Sequence, residues 1–172
     1  MNNRKKHIAF ISYSHKNEAI TYDLHKFLYL FHLPRAYRKQ HPHLPVKKYN
    51  IYIDKSHLSP GTIWTKLKEG LNNSEHLIVI CSKESRKYNE DGENWVNKEI
   101  DEFVASHEGA ADLVYPILLE AEAGDEAIPQ SLIDHNLLNK AIELNKEEPR
   151  ISYCHLLEKI LGIQDGLMWE KT

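Results

Sequence analysis

"EHLIVICS" (residues 75–82) is the stretch on which the fold turns. Leu77 through Cys81 are apolar without alternation, so an extended segment here has no face to give to water. A strand with one wet face alternates polar and apolar residues, whereas a strand apolar on both faces suits the centre of a parallel sheet covered by helices on each side. The run is also far too short to span a bilayer as a helix, which takes roughly 20 apolar residues.

Working outward, the same logic yields alternating strands and helices. Upstream, "KYNIYID" (48–54) reads as a short strand, and "KSHLSPGT" as a Pro-Gly turn ending in Thr62, an N-cap for a helix carrying Ile63, Leu67 and Leu71. "HIAFISYS" (7–14) reads as a buried strand. Basic residues precede its apolar run, but that run breaks at Ser12 and no small-residue cleavage site follows, so it is read as a core strand rather than a secretory leader. A helix is predicted over 17–31, with Ile20, Leu24, Phe27, Leu28 and Phe31 on one face. Pro34, Pro42 and Pro45 predict a long loop over 33–48.

Downstream, Asn94 is placed to cap a helix over "ENWVNKEIDEF" (93–103), whose Val96, Ile100, Phe103 and Val104 form a core-facing stripe. Trp95 and Glu99 lie one turn apart beside that stripe. "DLVYPILL" (112–119) is a fourth strand in which Pro116, lacking an amide donor, predicts an edge or a bulge. An acidic irregular stretch (120–136) leads to a last strand near 139–143 and a helix over 151–162 with Ile151, Leu157, Ile160 and Leu161. Strand-helix alternation in short units implies an α/β fold with an open, mostly parallel sheet and right-handed crossovers. Such sheets bind ligands outside the carboxyl ends of their strands, where the strand order reverses. In a flavodoxin-like order that point lies between the first and third strands, with Ser12, Tyr13, Ser14 and His15 on one rim and Cys81 and Ser82 on the other.

Composition narrows the function classes. A chain of 172 residues, 41% hydrophobic and 27% charged, fits a single domain spanning 1–172 without internal repeats. The net charge of −3 gives no general attraction to nucleic acid or to an anionic membrane. The charge is nonetheless uneven: no acidic residue lies between Asp23 and Asp54, while Lys26, Arg35, Arg38, Lys39, Lys47 and Lys48 do. That segment reads either as a solvated basic loop or as a surface attracting phosphate or a partner. Cys81 and Cys154 have neither CxxC nor zinc spacing, and are read as buried thiols of a reducing cytoplasmic protein. The eleven histidines include no HExxH and no thiolate partner, so no metal site is expected.

Four motifs in order, "FISYSHK", "IYIDKSHLSPGTIW", "HLIVICS" and "NWVNKEI", together resemble the TIR (Toll/interleukin-1 receptor) domain, and within it the bacterial branch. The resemblance covers about residues 6–161. It implies a flavodoxin-like sheet of five parallel strands with helices on both faces, and residues 54–62 as the family's BB loop. In catalytic members the glutamate of a Trp-x-x-x-Glu segment is the key residue for cleaving the nicotinamide-ribose bond of NAD+. Trp95-Val96-Asn97-Lys98-Glu99 matches that segment position by position. The resemblance thus implies Glu99 at the nicotinamide ribose and Trp95 as a wall or stacking face near the base.

The chemistry gives this assignment independent sense. Breaking an N-glycosidic bond passes through an oxocarbenium-like transition state, which a carboxylate beside the ribose stabilises. Nicotinamide leaves neutral, so a partner acid is not required. On a single helix the alternative reading is a solvated carboxylate and a rim aromatic.

The resemblance further implies dinucleotide contacts at Tyr13, Ser14 and His15, although several animal and plant members carry arginine where this chain has Ser14-His15. Asp54 reads either as a ligand contact or as a residue ordering the BB loop, and Ser59 matches a position that is acidic in some relatives. NAD+ is then substrate, with no cofactor. A homo-oligomer through the BB loop is implied, as is a role in bacterial antiphage defence in which the product nucleotide activates a separate effector, as in Thoeris systems. The non-catalytic alternative is an adaptor acting by TIR-TIR association. A phosphoacceptor receiver would cluster acidic residues after its first strand to hold Mg²⁺, where this chain has Ser12-Tyr13-Ser14-His15.

Overall fold

The computed structural model describes residues 5–33, 35–42, 50–53 and 60–163. Strands β1 (His7–Ser12), β2 (Ile51–Ile53), β3 (Ser74–Cys81), β4 (Val114–Leu118) and β5 (Ile142–Glu143) form one sheet in the order β2-β1-β3-β4-β5, with every pairing parallel. This is the doubly wound flavodoxin-like order, and it reverses between β1 and β3. The quoted apolar run is its centre: Leu77, Ile78, Val79, Ile80 and Cys81 are all fully buried and paired to β4, and the first three are paired to β1 on the other side as well.

Alternation along the strands sorts the core into two layers. Ala9, Ile11, Ile78, Ile80, Tyr115 and Ile117 face a layer built with α1 (Glu18–Leu30) and α6 (Pro149–Leu161). Phe10, Leu77, Val79, Cys81 and Val114 face the opposite layer, built with α3 (Pro60–Asn72), α4 (Trp95–Ser106) and α5 (Gln130–Asp134). The expected stripes hold in α1, where Leu24 and Leu28 are buried, and in α4, where Val96, Ile100 and Phe103 are. In α6 the buried set is centred on Tyr153, Cys154, Leu156 and Leu157 rather than on Ile151 and Ile160.

Three expectations need correction. Residues 33–48 are not loop throughout, because α2 (Arg35–Gln40) forms directly after Pro34 and stops before Pro42. Proline is compatible with a helix start and with the residues just past an end, so these prolines delimit a short helix rather than prevent one. Thr62 is not an N-cap, since α3 already begins at Pro60. The stretch 120–136 holds a run of 3-10 turns over Ala121–Ala127 followed by α5.

Pro116 shows how a proline fits an inner strand. Leu113 O accepts from Leu77 N of β3, whereas Leu118 O accepts from Leu144 N on the β5 side. Alternation therefore turns the Pro116 nitrogen toward β5, which pairs only with Ile117 and Leu118. The missing donor falls where β4 is locally an edge.

Candidate functional site

Helix α4 descends from the carboxyl end of the sheet to its amino end. At the top, Asn94 is tied to the turn after β3: its Nδ2 donates to Ser85 O (2.9 Å) and Lys87 O (3.0 Å), while its Oδ1 accepts from Asn97 N (2.8 Å) and caps the helix as expected. At the bottom, His107 Nε2 lies 2.7 Å from Ser74 O at the start of β3. Trp95 and Glu99 thus occupy the first two turns of a helix whose amino end abuts the sheet's carboxyl rim, the end at which doubly wound sheets carry their ligands.

Glu99 is 7% exposed, so it is not the solvated helix carboxylate that periodicity alone allows. Holding a carboxylate this far from water is costly, and marks a position set by something other than solubility. Trp95 is half-buried; its ring packs at 6.0 Å and 50° on Trp64 of α3, and Lys98 Nζ stands 4.7 Å from its centroid.

At the switch point Ser82 Oγ donates to Asn17 Oδ1 across 2.6 Å, linking the end of β3 to the start of α1. Ser85 and Ser82 brace each other through Ser85 Oγ donating to Ser82 O (2.7 Å) and Ser82 N donating to Ser85 Oγ (2.9 Å). Ser12 shares the sheet face of Phe10, the face covered by α3 and α4. Its hydroxyl is fully buried and has no hydrogen-bond partner among the described residues.

The other predicted residues divide. Tyr13 packs on the α1 layer, with ring contacts to His15 (6.1 Å) and Tyr22 (6.4 Å). Ser14 accepts from Lys16 N at 3.4 Å and starts a 3-10 turn, and His15 is exposed. These three therefore form the rim at the end of β1, with Tyr13 turned to the sheet face opposite the one that carries α4. Asp54, Ser59 and residues 54–59 of the BB loop lie outside the described residues, as do 43–49 of the basic segment. Arg35, Arg38 and Lys39 of α2 are exposed.

Asn17 and Trp64 escaped the sequence reading. Asn17 counted only as a helix start, and Trp64 followed a turn motif without any period of its own. A groove of about 310 Å³ flanks the same helix, lined by Glu93, Asn94, Lys98, Asp101 and Ser131 among others. Gln130, which also lines it, accepts at Oε1 from Arg86, and Arg86 donates to Ile128 O as well, both at 2.9 Å. Among the described residues no three His, Cys, Asp or Glu side chains converge as metal ligands would, and no helix is long and apolar enough to cross a membrane.

A family model described as "TIR domain" matches residues 36–153. No curated protein is significantly similar in sequence. Among solved structures, the TIR domains of the activated Roq1 resistosome directly recognizing the pathogen effector XopQ are 17% identical, over 91% of this chain and 84% of that one, with a TM-score of 0.40. With more than half of its length matched by the family model and its five parallel strands in the doubly wound order, the chain belongs to the TIR domain family.

Proposed function

We propose that this TIR domain is an NAD+ glycohydrolase or ADP-ribosyl cyclase that releases nicotinamide and makes ADP-ribose or a cyclic or conjugated derivative of it. The observation that carries the reading is the burial of Glu99, 7% exposed, one turn from an aromatic residue at the amino end of α4. A carboxylate kept from bulk water acts on a developing positive charge far more strongly than one in solvent. The Ser12 hydroxyl at the end of β1, buried without a hydrogen-bond partner among the described residues, supports a polar ligand at the same rim.

In the proposed reaction the ribose C1′–N bond breaks and its electron pair passes to the pyridinium nitrogen, which becomes neutral. Glu99 stabilises the cationic ribose that remains. Water then attacks the anomeric carbon and loses a proton, or a nucleophile of the same dinucleotide attacks and closes a ring. Access of water to the ribose decides between the two. The wider role that fits is bacterial antiphage signalling, with copies associating through the 54–62 loop and the product read by a separate effector.

Incubating the protein with NAD+ at high protein concentration beside Glu99→Gln tests the reading, with nicotinamide and nucleotide products followed by mass spectrometry. Release by the native chain, reduced about 100-fold or more in the variant, is expected. Equal release by both removes Glu99 from its role, and absence of release from either, even when assembled, leaves the adaptor reading in place.

A further inference from the structure

The groove between α4 and α5 carries three carboxylates, those of Glu93, Asp101 and Asp134, against the single ammonium of Lys98. All three acids are exposed. Lys98 Nζ lies 3.9 Å from Glu93 Oε1, and His135 Nε2 lies 3.0 Å from Asp101 Oδ1, yet the Asp101 side chain keeps 56% of its surface in water. The groove is therefore acidic and open to a cationic side chain. A set of acids alone names no partner.

The matching charge lies on this same chain. α2 places Arg35, Arg38 and Lys39 at i, i+3 and i+4, hence on one face, and all three are exposed. Arg38 Nε donates to Leu33 O at 2.9 Å, and Leu33 is buried in the layer built with α1 and α6. The groove belongs to α4 and α5, which cover the other face of the sheet. The sheet thus stands between the two surfaces, so an α2 cannot enter its own groove. Apolar exposure singles out the same two places. Among the described residues the large apolar side chains left exposed are Tyr29, Leu30 and Tyr88. Tyr29 and Leu30 end α1, just ahead of α2 in the chain, and Tyr88 lines the groove. Aromatic residues and arginine are enriched where proteins meet.

We propose that the α4–α5 groove is the docking site for α2 of a second copy of this chain, whose Arg35, Arg38 and Lys39 enter it against Glu93, Asp101 and Asp134. The contact is head-to-tail: each copy gives one surface and receives on the other, so copies add in an open row or close into a ring. It is separate from the 54–62 loop, and it stands whether or not the domain is an enzyme. A guanidinium grips a carboxylate through two parallel hydrogen bonds, but exposed ion pairs are individually weak and screened by salt. Association through this contact is accordingly weak at physiological salt and tightens as salt falls. Glu93, Asn94 and Lys98 flank Trp95 and Glu99 in the chain, so the incoming copy seats on the helix that carries the candidate site.

The test is sedimentation equilibrium of the full-length protein at about 0.02 M and about 0.5 M salt. The native chain is expected to associate in the lower salt, with a dissociation constant at least about tenfold higher in the upper. A helix variant, Arg35→Glu with Lys39→Glu, spares the bond from Arg38 to Leu33, and Asp101→Arg serves as the groove variant. Both change exposed side chains, and circular dichroism with thermal melting checks that each is folded. Each alone is expected to associate at least about tenfold more weakly than the native chain, because like charges then meet. Mixed in equal amounts they recover association, since the native α2 of the groove variant meets the native groove of the helix variant. A native chain that stays monomeric in low salt, variants that associate as the native chain does, or a mixture no stronger than its parts overturns the proposal. So does a monomeric native chain that binds a fluorescent oligoarginine peptide, which hands the groove to a foreign basic partner.

Discussion

Two residues show at the smallest scale how burial sets chemistry. Glu99 is buried on a helix whose neighbouring positions are ordinary core, and sequence periodicity places it only at the margin of that core. If its charge acts on the ribose, Glu99→Gln preserves shape and loses nicotinamide release while the melting temperature holds, a combination that a purely structural carboxylate would not give. His76, half-buried on β3, has its Nδ1 at 2.9 Å from Ile8 O and its pKa lowered, chiefly by desolvation. Its folded form thus resists the proton that the unfolded form accepts. The stability this gives is present above about pH 6.5, the unfolded value, and is lost as pH falls through the lower folded value. Denaturant titrations between pH 7 and pH 5 are expected to show a decline that is shallower in His76→Gln.

At the scale of elements, the ends of helices carry more than their interiors. Asn94 caps α4 and also donates two bonds to the turn after β3, so Asn94→Ala removes the cap and strands two carbonyls. A loss of about 2 kcal/mol is expected, read as a fall in melting temperature of roughly 5 °C. Gly70 is the opposite case. Alanine is the better helix former by about 1 kcal/mol, but its Cβ would meet the Tyr52 ring at 3.0 Å. That ring is stacked on Phe10 at 5.0 Å and edged by His7 at 5.3 Å, so it has little room to retreat. Gly70→Ala is therefore expected to lower the denaturation midpoint despite its propensity.

The elements also show why some of the structure was legible and some was not. β3, α1 and α4 were readable because burial on two faces or along one stripe forces an apolar period, and Asn94 was readable as a cap because its side chain must accept a helix amide. α2 was not, because six residues between prolines present too few turns for a period. The start of α3 was misread because Pro60 fits a helix start as well as it fits a turn. At the candidate site Trp95 and Glu99 were legible through their spacing and their resemblance. Asn17, Trp64 and the Lys98 arrangement depend on contacts between elements distant in sequence, and no local pattern announces those.

For the whole molecule, the doubly wound order fixes where chemistry can sit: β1 and β3 part at their carboxyl ends, and α4 delivers its first two turns there. If neighbouring copies complete that site, specific activity rises with protein concentration, so nicotinamide release per milligram measured over a hundredfold dilution is expected to fall steeply. A flat profile means that a single copy suffices.

The brevity of β5 has a bearing on such gatherings. Its two paired residues give a neighbouring backbone almost no ladder to extend, and β4 is without a donor at Pro116, just before β5 begins. On that border, strands from separate molecules cannot zip together, which blunts the usual route to uncontrolled stacking. A companion arriving there would have to be recognised by side chains, and where charges carried that contact added salt would weaken it.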